Sequence, residues 1–203
     1  MSKHYAFGAE AVPEWALRRP KPVWQAAYDL LAAPLRMAAL PDSVNERLHL
    51  TSLRAERFAT VLPHLQGRVL DVGAGDNALI KLYQTRTEAG QGDTGASDSV
   101  GIDVEDWGTG TLLIDDAAKL PFEDNSFDRV VFVACINHIT NRDAALREAW
   151  RVLKPGGQVL ITMINRLLGN VGHAIWWYSE DKHRDVDPNE LMGMDKREVI
   201  DLL

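Results

Sequence analysis

RVLDVGAGDNALI, at Arg68–Ile80, is the stretch that decides the fold of this chain. Its apolar first half, which contains Asp71, predicts a buried strand, and Gly73–Gly75 predicts a tight turn before a helix. Glycines leave the backbone bare, so that a ligand can approach it closely. The helix that follows directs its free N–H groups at the same place. The stretch therefore predicts a ligand site of the nucleotide type at the end of this strand.

Two classes of nucleotide site share such a turn, and Asp71 helps to separate them. The residues Gly73, Gly75 and Ala78 formally satisfy the G-x-G-x-x-G/A pattern of a dinucleotide site. A carboxylate two residues before the first glycine would repel a pyrophosphate, and it suits a cationic, amine-bearing ligand better. A nicotinamide-dependent oxidoreductase is therefore the weaker alternative, and we find no set of catalytic Lys, Tyr and Ser residues for it.

Composition bounds the remaining function classes. The 203 residues are 46% hydrophobic, which suits one globular domain with a sizeable core. The net charge of −7 argues against nucleic acid as a partner. Cys135 is the single cysteine, so this chain forms no internal disulfide and fits a reducing compartment. We find no signal core and no apolar run of membrane-spanning length, and we expect a cytoplasmic location.

From Arg68 onward the sequence alternates between strand and helix patterns, which predicts an α/β fold with a parallel sheet. The predicted strands are Arg68–Val72, Val100–Asp103, Leu112–Asp115, Arg129–Ala134 and Gln158–Met163. The segment Asn141–Leu153 is predicted as a helix with a stripe of Leu146, Ala149, Trp150 and Leu153, stopped by Lys154–Gly157. We expect a flexible surface loop over Thr85–Ser99, and a crossing without a helix over Val104–Thr111.

The segment before the core is predicted to be helical. Val23–Met37 is one helix candidate, and Val44–Leu62 is predicted as a single amphipathic helix. A capping box of Ser43 and Glu46 would begin this second helix. It either packs against the sheet or forms a lid over the ligand pocket. We accordingly divide the chain into an arm and helical cap (1–62), a ligand-binding core (63–165) and a third segment (166–203).

Acidic residues follow successive strands of the core in order. After Asp71, the second strand ends in Asp103, and the third is followed by DAAKLPFEDNSFD at Asp116–Asp128. RVLKPGG follows at Arg151–Gly157. With these motifs in register, residues 68–163 resemble the class I S-adenosylmethionine-dependent methyltransferases, specifically the methyltransferase type 11 group. The resemblance implies a Rossmann-like, doubly wound, mainly parallel sheet and S-adenosylmethionine as the cofactor.

The resemblance also implies roles for individual residues. The cofactor-binding set would be Asp71, Gly73, Ala74, Gly75, Asp103, Asp116, Ala117 and Cys135. Asp71 would lie near the amino-acid end of the ligand, and Asp103 would accept hydrogen bonds from the ribose hydroxyls unless it is an ordinary surface aspartate. Asp116 and the Ala117 N–H would meet the adenine, and Cys135 would line the methionine portion. His138 is the candidate base for an acceptor hydroxyl, or else it only bonds loop backbone.

The predicted function is transfer of a methyl group to an oxygen, nitrogen or carbon nucleophile of a small organic acceptor. A catalytically silent binding or scaffold protein is the alternative. Five strands are visible where the family usually has seven, so we expect a truncated acceptor-side segment over 166–203 and a homodimer as one way to cover the sheet edge. Trp176–Tyr178 either line an acceptor pocket, or one tryptophan fills the core while the neighbouring charged run is solvated. His173, Asp181, His183 and Asp185 match no metal-ligand spacing, and we predict no metal.

Overall fold

The computed structural model describes residues 23–31, 46–47, 50–51, 53–88, 94–163, 166, 191 and 193–203. The elements that precede the core are α1 (Val23–Leu31), an antiparallel ribbon of β1 (Glu46–Arg47) and β2 (Leu50–Thr51), and α2 (Leu53–Val61). The core contains β3 (Val69–Val72), α3 (Ala78–Glu88), β4 (Val100–Asp103), β5 (Leu112–Leu113), β6 (Phe127–Val133), α4 (Arg142–Val152) and β7 (Leu153–Thr162). The helix α5 spans Lys196–Leu202.

The five core strands form one parallel sheet in the order β5-β4-β3-β6-β7. In the register of this sheet, Asp71 pairs with Gly101 of β4 and with Val131 of β6. The strand order reverses between β3 and β6, because the chain runs outward to β5 before it returns beside β3. Ligands of doubly wound sheets bind beyond the carboxyl ends of the strands at such a reversal. The predicted Rossmann-like fold is confirmed, and its ligand edge lies where β3 and β6 end.

Both faces of the sheet are buried at its central strands β3 and β6, whose alternate side chains enter two separate apolar clusters. On one face, Leu70 and Phe132 pack with residues of α4. On the other face, Val69 and Val131 pack with α3 and with Phe58 of α2. The helix α2 is therefore a packing element of the sheet.

The prediction of one helix over Val44–Leu62 is wrong in its first half. The chain forms the ribbon instead, with Glu46 paired to Thr51 and Arg47 to Leu50, and the helix begins only at Leu53. Apolar residues recur here every three or four positions, which fits a helix. The same sequence is also compatible with a ribbon, in which antiparallel pairing between β1 and β2 replaces the hydrogen bonds of a helix. The β-branched Thr51 also favours an extended backbone.

The flexible loop predicted over Thr85–Ser99 is also partly wrong. The helix α3 continues through Glu88, and a 3₁₀ turn covers Thr94–Asp98. Ala96 in that turn is fully buried, and the Ser99 hydroxyl accepts a hydrogen bond from the Val69 N–H at 3.0 Å. The small residues that suggested flexibility permit close packing against the start of β3.

Several strand and helix bounds differ from prediction. The strand β5 is only two residues long. The strand β6 begins at Phe127, two residues before the predicted start at Arg129. Trp150 is half exposed, so it does not belong to the buried stripe of α4. Residues 154–157 lie within β7, where the register to β6 shifts between Phe127 and Arg129. The crossing from β4 to β5 contains no helix over 104–111, as predicted.

Other predictions fall outside the described residues. These are the rest of the first helix beyond Leu31, Ser43 of the capping box, the aromatic segment Trp176–Tyr178, and His173, Asp181, His183 and Asp185. No helix in the described ranges is long and apolar enough to cross a membrane.

Candidate cofactor-binding site

The glycine turn after β3 is tied to the end of β4 by its backbone. The N–H groups of Gly73 and Ala74 both donate to the Ile102 carbonyl at 2.9 Å. The Gly75 N–H donates to Asp103 Oδ2 at 2.8 Å. Gly73 and Gly75 have φ values of +71° and +55°, which glycine adopts without steric cost. The sequence prediction that this turn and Asp103 belong to one site is consistent with these contacts.

Cys135 closes the turn from the β6 side. Its thiol donates to the Val72 carbonyl at 2.7 Å, and a Cβ at position 73 would lie 2.5 Å from the Cys135 Cβ. Gly73 is therefore needed for packing as well as for backbone conformation. Burial, and then the negative charges of Asp71 and Asp103, raise the pKa of the Cys135 thiol well above its ordinary value. This thiol is a packing group at the turn and a poor nucleophile.

Asp71 is the most unusual acid of the site. Its side chain is 2% exposed, and Oδ1 has no hydrogen-bond partner in the described part of the chain. Its pKa is raised from 3.8 to about 8, mainly by burial and then by the Asp103 and Asp76 carboxylates, while the Arg54 guanidinium opposes them. A buried carboxyl oxygen without a donor is costly unless it is protonated or meets a cation. Asp71 is thus suited to a positively charged ligand group.

Arg54 and Asp76 form an ion pair that the sequence analysis missed. Arg54 lies on α2, and its Nη2 donates to Asp76 Oδ1. Asp76 is 2% exposed, and its Oδ1 also accepts from the Ala78 N–H at the start of α3. Asp76 directly follows the second glycine, which was the available signal. Nothing in the helical pattern around Arg54 marked it as its partner.

The Asp103 carboxylate accepts two hydrogen bonds within the chain. Its Oδ2 accepts from Gly75, and its Oδ1 accepts from the Glu105 N–H at 3.0 Å. A carboxylate offers about four lone-pair positions, so it can still accept two hydrogen bonds from a diol.

The crossing loop after Asp103 covers the glycine turn. The Trp107 ring would lie 3.9 Å from a Cβ at position 75, and the Thr111 hydroxyl donates to the Gly75 carbonyl at 2.6 Å. The sequence analysis treated this loop only as a connection and missed its contacts with the turn.

Asp116 and Ala117 lie beyond the end of β5, at the same edge of the sheet. The Ile114 N–H, between them and the strand, donates to the Asp103 carbonyl at 2.9 Å. Asp116 is exposed, and its Oδ1 accepts from the Ala118 N–H at 2.8 Å, which forms a local turn. Ala117 is buried. The turn holds the exposed carboxylate beyond β5, next to β4.

His138 lies in a 3₁₀ turn, Ile136–His138, that follows β6. Its backbone N–H donates to the Cys135 carbonyl at 2.8 Å. Its Nε2 lies 3.1 Å from the amide nitrogen of Asn137, which is a buried neighbour that the sequence analysis did not single out. The backbone bond to Cys135 holds His138 in the turn that directly follows β6.

The motif around Leu120–Asp128 is structural in this chain. Arg151 of α4 donates to the carbonyls of Leu120 and Phe122, and it pairs with Asp124 and Glu148 at 2.7 Å. The hydrogen bonds from Arg151 lower the pKa of Glu148 below its ordinary value. Leu120 and Phe127 are buried in the core cluster, and Phe122 packs against it.

Asp128 anchors the start of β6, as the sequence suggested. Its Oδ2 accepts from the Arg68 N–H and from Lys154 Nζ, both at 2.8 Å. These bonds and the nearby Lys154 charge lower the pKa of Asp128, against a desolvation effect that raises it. The lysine of RVLKPGG is therefore a structural partner of the aspartate in SFD.

The residues present fit S-adenosylmethionine. The unpartnered Asp71 oxygen suits its ammonium group, and the spare lone pairs of Asp103 suit the two ribose hydroxyls. Among the residues that the structure describes, there is no group of three or more His, Cys, Asp and Glu side chains that could hold a metal ion.

Comparisons with known proteins agree with this fit. Residues 70–161 match the type 11 family model described as a methyltransferase domain. The chain is 37% identical over 109 residues to ubiquinone/menaquinone biosynthesis C-methyltransferase UbiE of Burkholderia mallei, covering 50% of this chain and 44% of that protein. It is 44% identical over 68 residues to the protein of the same name from Bordetella avium, covering 34% and 27%. The matched stretch thus spans less than half of these curated relatives.

The fold has a counterpart among solved structures. The YcgJ protein from Bacillus subtilis aligns with a TM-score of 0.51 and 18% identity, over 72% of this chain and 65% of that one. This likeness concerns the fold alone. S-adenosylmethionine is the methyl donor of the family whose model matches residues 70–161. Through residues 70–161, the chain is similar to the class I S-adenosylmethionine-dependent methyltransferases.

Proposed function

We propose that this chain binds S-adenosylmethionine at the edge formed by β3, β4 and β6, and transfers its methyl group to a small organic acceptor. The observation that carries the proposal is the junction of the glycine turn with Asp103, beside the buried, unpartnered oxygen of Asp71. Asp71 would hold the ammonium group, Asp103 the ribose, and Asp116 with the Ala117 N–H the adenine. Gly73–Gly75 and Cys135 would line the amino-acid portion.

The sulfonium supplies an already activated methyl group, so no covalent catalyst is required. The task of the protein is alignment of donor and acceptor, which can contribute up to about 7–11 kcal/mol to lowering the barrier. His138, at the end of β6, is the titratable side chain that we propose to assist the acceptor. The exposed Asp116 and the covering Trp107 loop would confine the adenosyl end.

For the acceptor, we propose an electron-rich ring that is methylated at carbon. The names of the Burkholderia and Bordetella relatives support this class over oxygen or nitrogen acceptors.

Calorimetric titration with S-adenosylmethionine and S-adenosylhomocysteine, with NAD as the control ligand, tests the cofactor. We expect both adenosyl ligands to bind and NAD not to bind. Binding of NAD alone would favour an oxidoreductase. Cofactor binding without turnover on any hydroquinone, phenol or amine would favour a silent binding protein.

Two substitutions separate the proposed roles. Asp103→Ala should weaken binding of the cofactor at least tenfold, since two charge-assisted hydrogen bonds are lost. His138→Ala should lower turnover while cofactor binding is kept. Equal loss of cofactor binding in both variants would contradict this division. Asp143→Ala, which changes an exposed acid in the first turn of α4, is the matched control.

A further inference from the structure

The turn that carries His138 is joined to Leu191 by the buried Asn137. The Leu191 N–H donates to the Asn137 carbonyl at 3.1 Å, and Asn137 Nδ2 donates to the Leu191 carbonyl at 2.8 Å. The Asn137 carbonyl also accepts from Arg142 at 2.8 Å, and Asn137 is 3% exposed. The side chain therefore has one tightly defined position between the β6 turn and the segment that contains Leu191.

The same amide nitrogen lies 3.1 Å from His138 Nε2. An amide NH₂ group has two hydrogens, so it can donate to the Leu191 carbonyl and to a ring nitrogen at once. A ring nitrogen that accepts such a bond carries no proton. With the Asn137 amide in this orientation, the unprotonated ring nitrogen of His138 is Nε2.

The Leu191 carbonyl determines that orientation. Rotation of the amide by 180° would place Asn137 Oδ1 about where the nitrogen lies, facing the Leu191 carbonyl at hydrogen-bond distance. Two acceptors would then oppose each other in a buried place, which costs the desolvation of both. The His138 backbone bond to Cys135 prevents the turn from moving away.

We infer that Asn137 is a positioning residue that holds His138 as the neutral tautomer with its proton on Nδ1 and its Nε2 lone pair engaged. The consequence for chemistry rests on the proposed function. In this tautomer His138 does not remove a proton from an acceptor through Nε2 while the Asn137 bond is intact.

Nitrogen-15 NMR of histidine-labelled protein tests the tautomer directly. Spectra are recorded without cofactor or acceptor at pH 8, where neutral imidazoles predominate, and His138 is identified by its loss in His138→Gln. We expect the Nδ1-protonated form of His138 to exceed the other tautomer about five- to tenfold in the wild type. A proton mainly on Nε2 would overturn the inference. The wild-type spectrum, assigned with folded His138→Gln, decides the matter whether or not methyl transfer is ever observed.

A pair of variants tests the assignment to Asn137. Asn137→Asp replaces the donor by a carboxylate, so His138 should acquire a proton on Nε2. Asn141→Asp is the matched control, because it adds the same charge at the N-terminus of α4, where either side chain can accept from the Ala144 N–H. We expect the wild-type tautomer in this control. An unchanged tautomer in folded Asn137→Asp would overturn the role of Asn137.

Discussion

Asp71→Asn should make the cofactor-free protein more stable near neutral pH, although it removes a group proposed to bind the cofactor. In the folded chain burial raises the pKa of Asp71 from 3.8 to about 8. Between these values the folded state holds a proton that the unfolded state has released. Stability from this group is therefore full below about pH 4, and it is lost as the pH rises toward 8.

The size of the effect follows from that window. At pH 7 the pH lies roughly three units above the pKa of the carboxyl in the unfolded chain. Each of these units destabilises the folded state by about 1.36 kcal/mol, so Asp71 lowers the free energy of unfolding by on the order of 4 kcal/mol. An asparagine does not titrate, so it makes no such pH-dependent contribution to the free energy of unfolding. As the pH rises from about 4 to 8, the difference in unfolding free energy between Asp71→Asn and wild type should therefore increase by about 1.4 kcal/mol per pH unit.

Urea unfolding at several pH values between 6 and 7.5 measures this slope, away from the isoelectric point near 5.3. The exposed Asp115→Asn is the control, and it should follow the wild type at every pH. Parallel pH profiles for Asp71→Asn and wild type would refute the reasoning. The same variant should lose most of its affinity for S-adenosylhomocysteine, whose ammonium group the asparagine cannot neutralise.

Three further substitutions test the packing around the site. Gly73→Ala places a Cβ 2.5 Å from that of Cys135 at a positive φ, so it should cost about 1–3 kcal/mol, measured as a lower Tm; no change in Tm would contradict the predicted clash. Arg151→Met removes the bonds to the loop before β6 and should cost about 1–3 kcal/mol in urea unfolding, whereas the exposed Arg147→Met on the same helix should change little; equal losses would argue against the network. Arg54→Met leaves a buried aspartate without its cation, so cofactor affinity and stability should both fall by calorimetry and urea unfolding; wild-type values would show that the ion pair does not support the turn.

Much of the core could be predicted because its signals are local in sequence. Short apolar runs indicate the parallel strands, and an acid or a glycine at the end of the first three indicates their ligand edge. The N-cap of α4 is similarly local, since the Asn141 side chain accepts from Ala144 three residues later. The α/β alternation and the position of the glycine turn followed from such patterns.

The failures arose where distant residues determine local structure. The ribbon before α2 follows helical spacing in sequence, and only cross-strand pairing distinguishes it from a helix. Trp150 fits the apolar stripe of α4 by spacing, but the surface that would cover it is not provided by the described part of the fold. Periodicity reports which side of an element is apolar, and it does not report what packs there.

The sequence by itself determined the succession of strands and helices in the core, the glycine turn and the acids at the strand ends, because short-range periodicity and turn chemistry specify these features. Only the tertiary structure decided how those acids behave. Arg54 meets Asp76 across 22 positions, and Cys135 reaches the Val72 carbonyl across 63. The pKa of Asp71 and the amide orientation of Asn137 depend on burial and on partners brought together by folding. Electrostatic and hydrogen-bond energies depend on distance in space, which sequence separation does not encode.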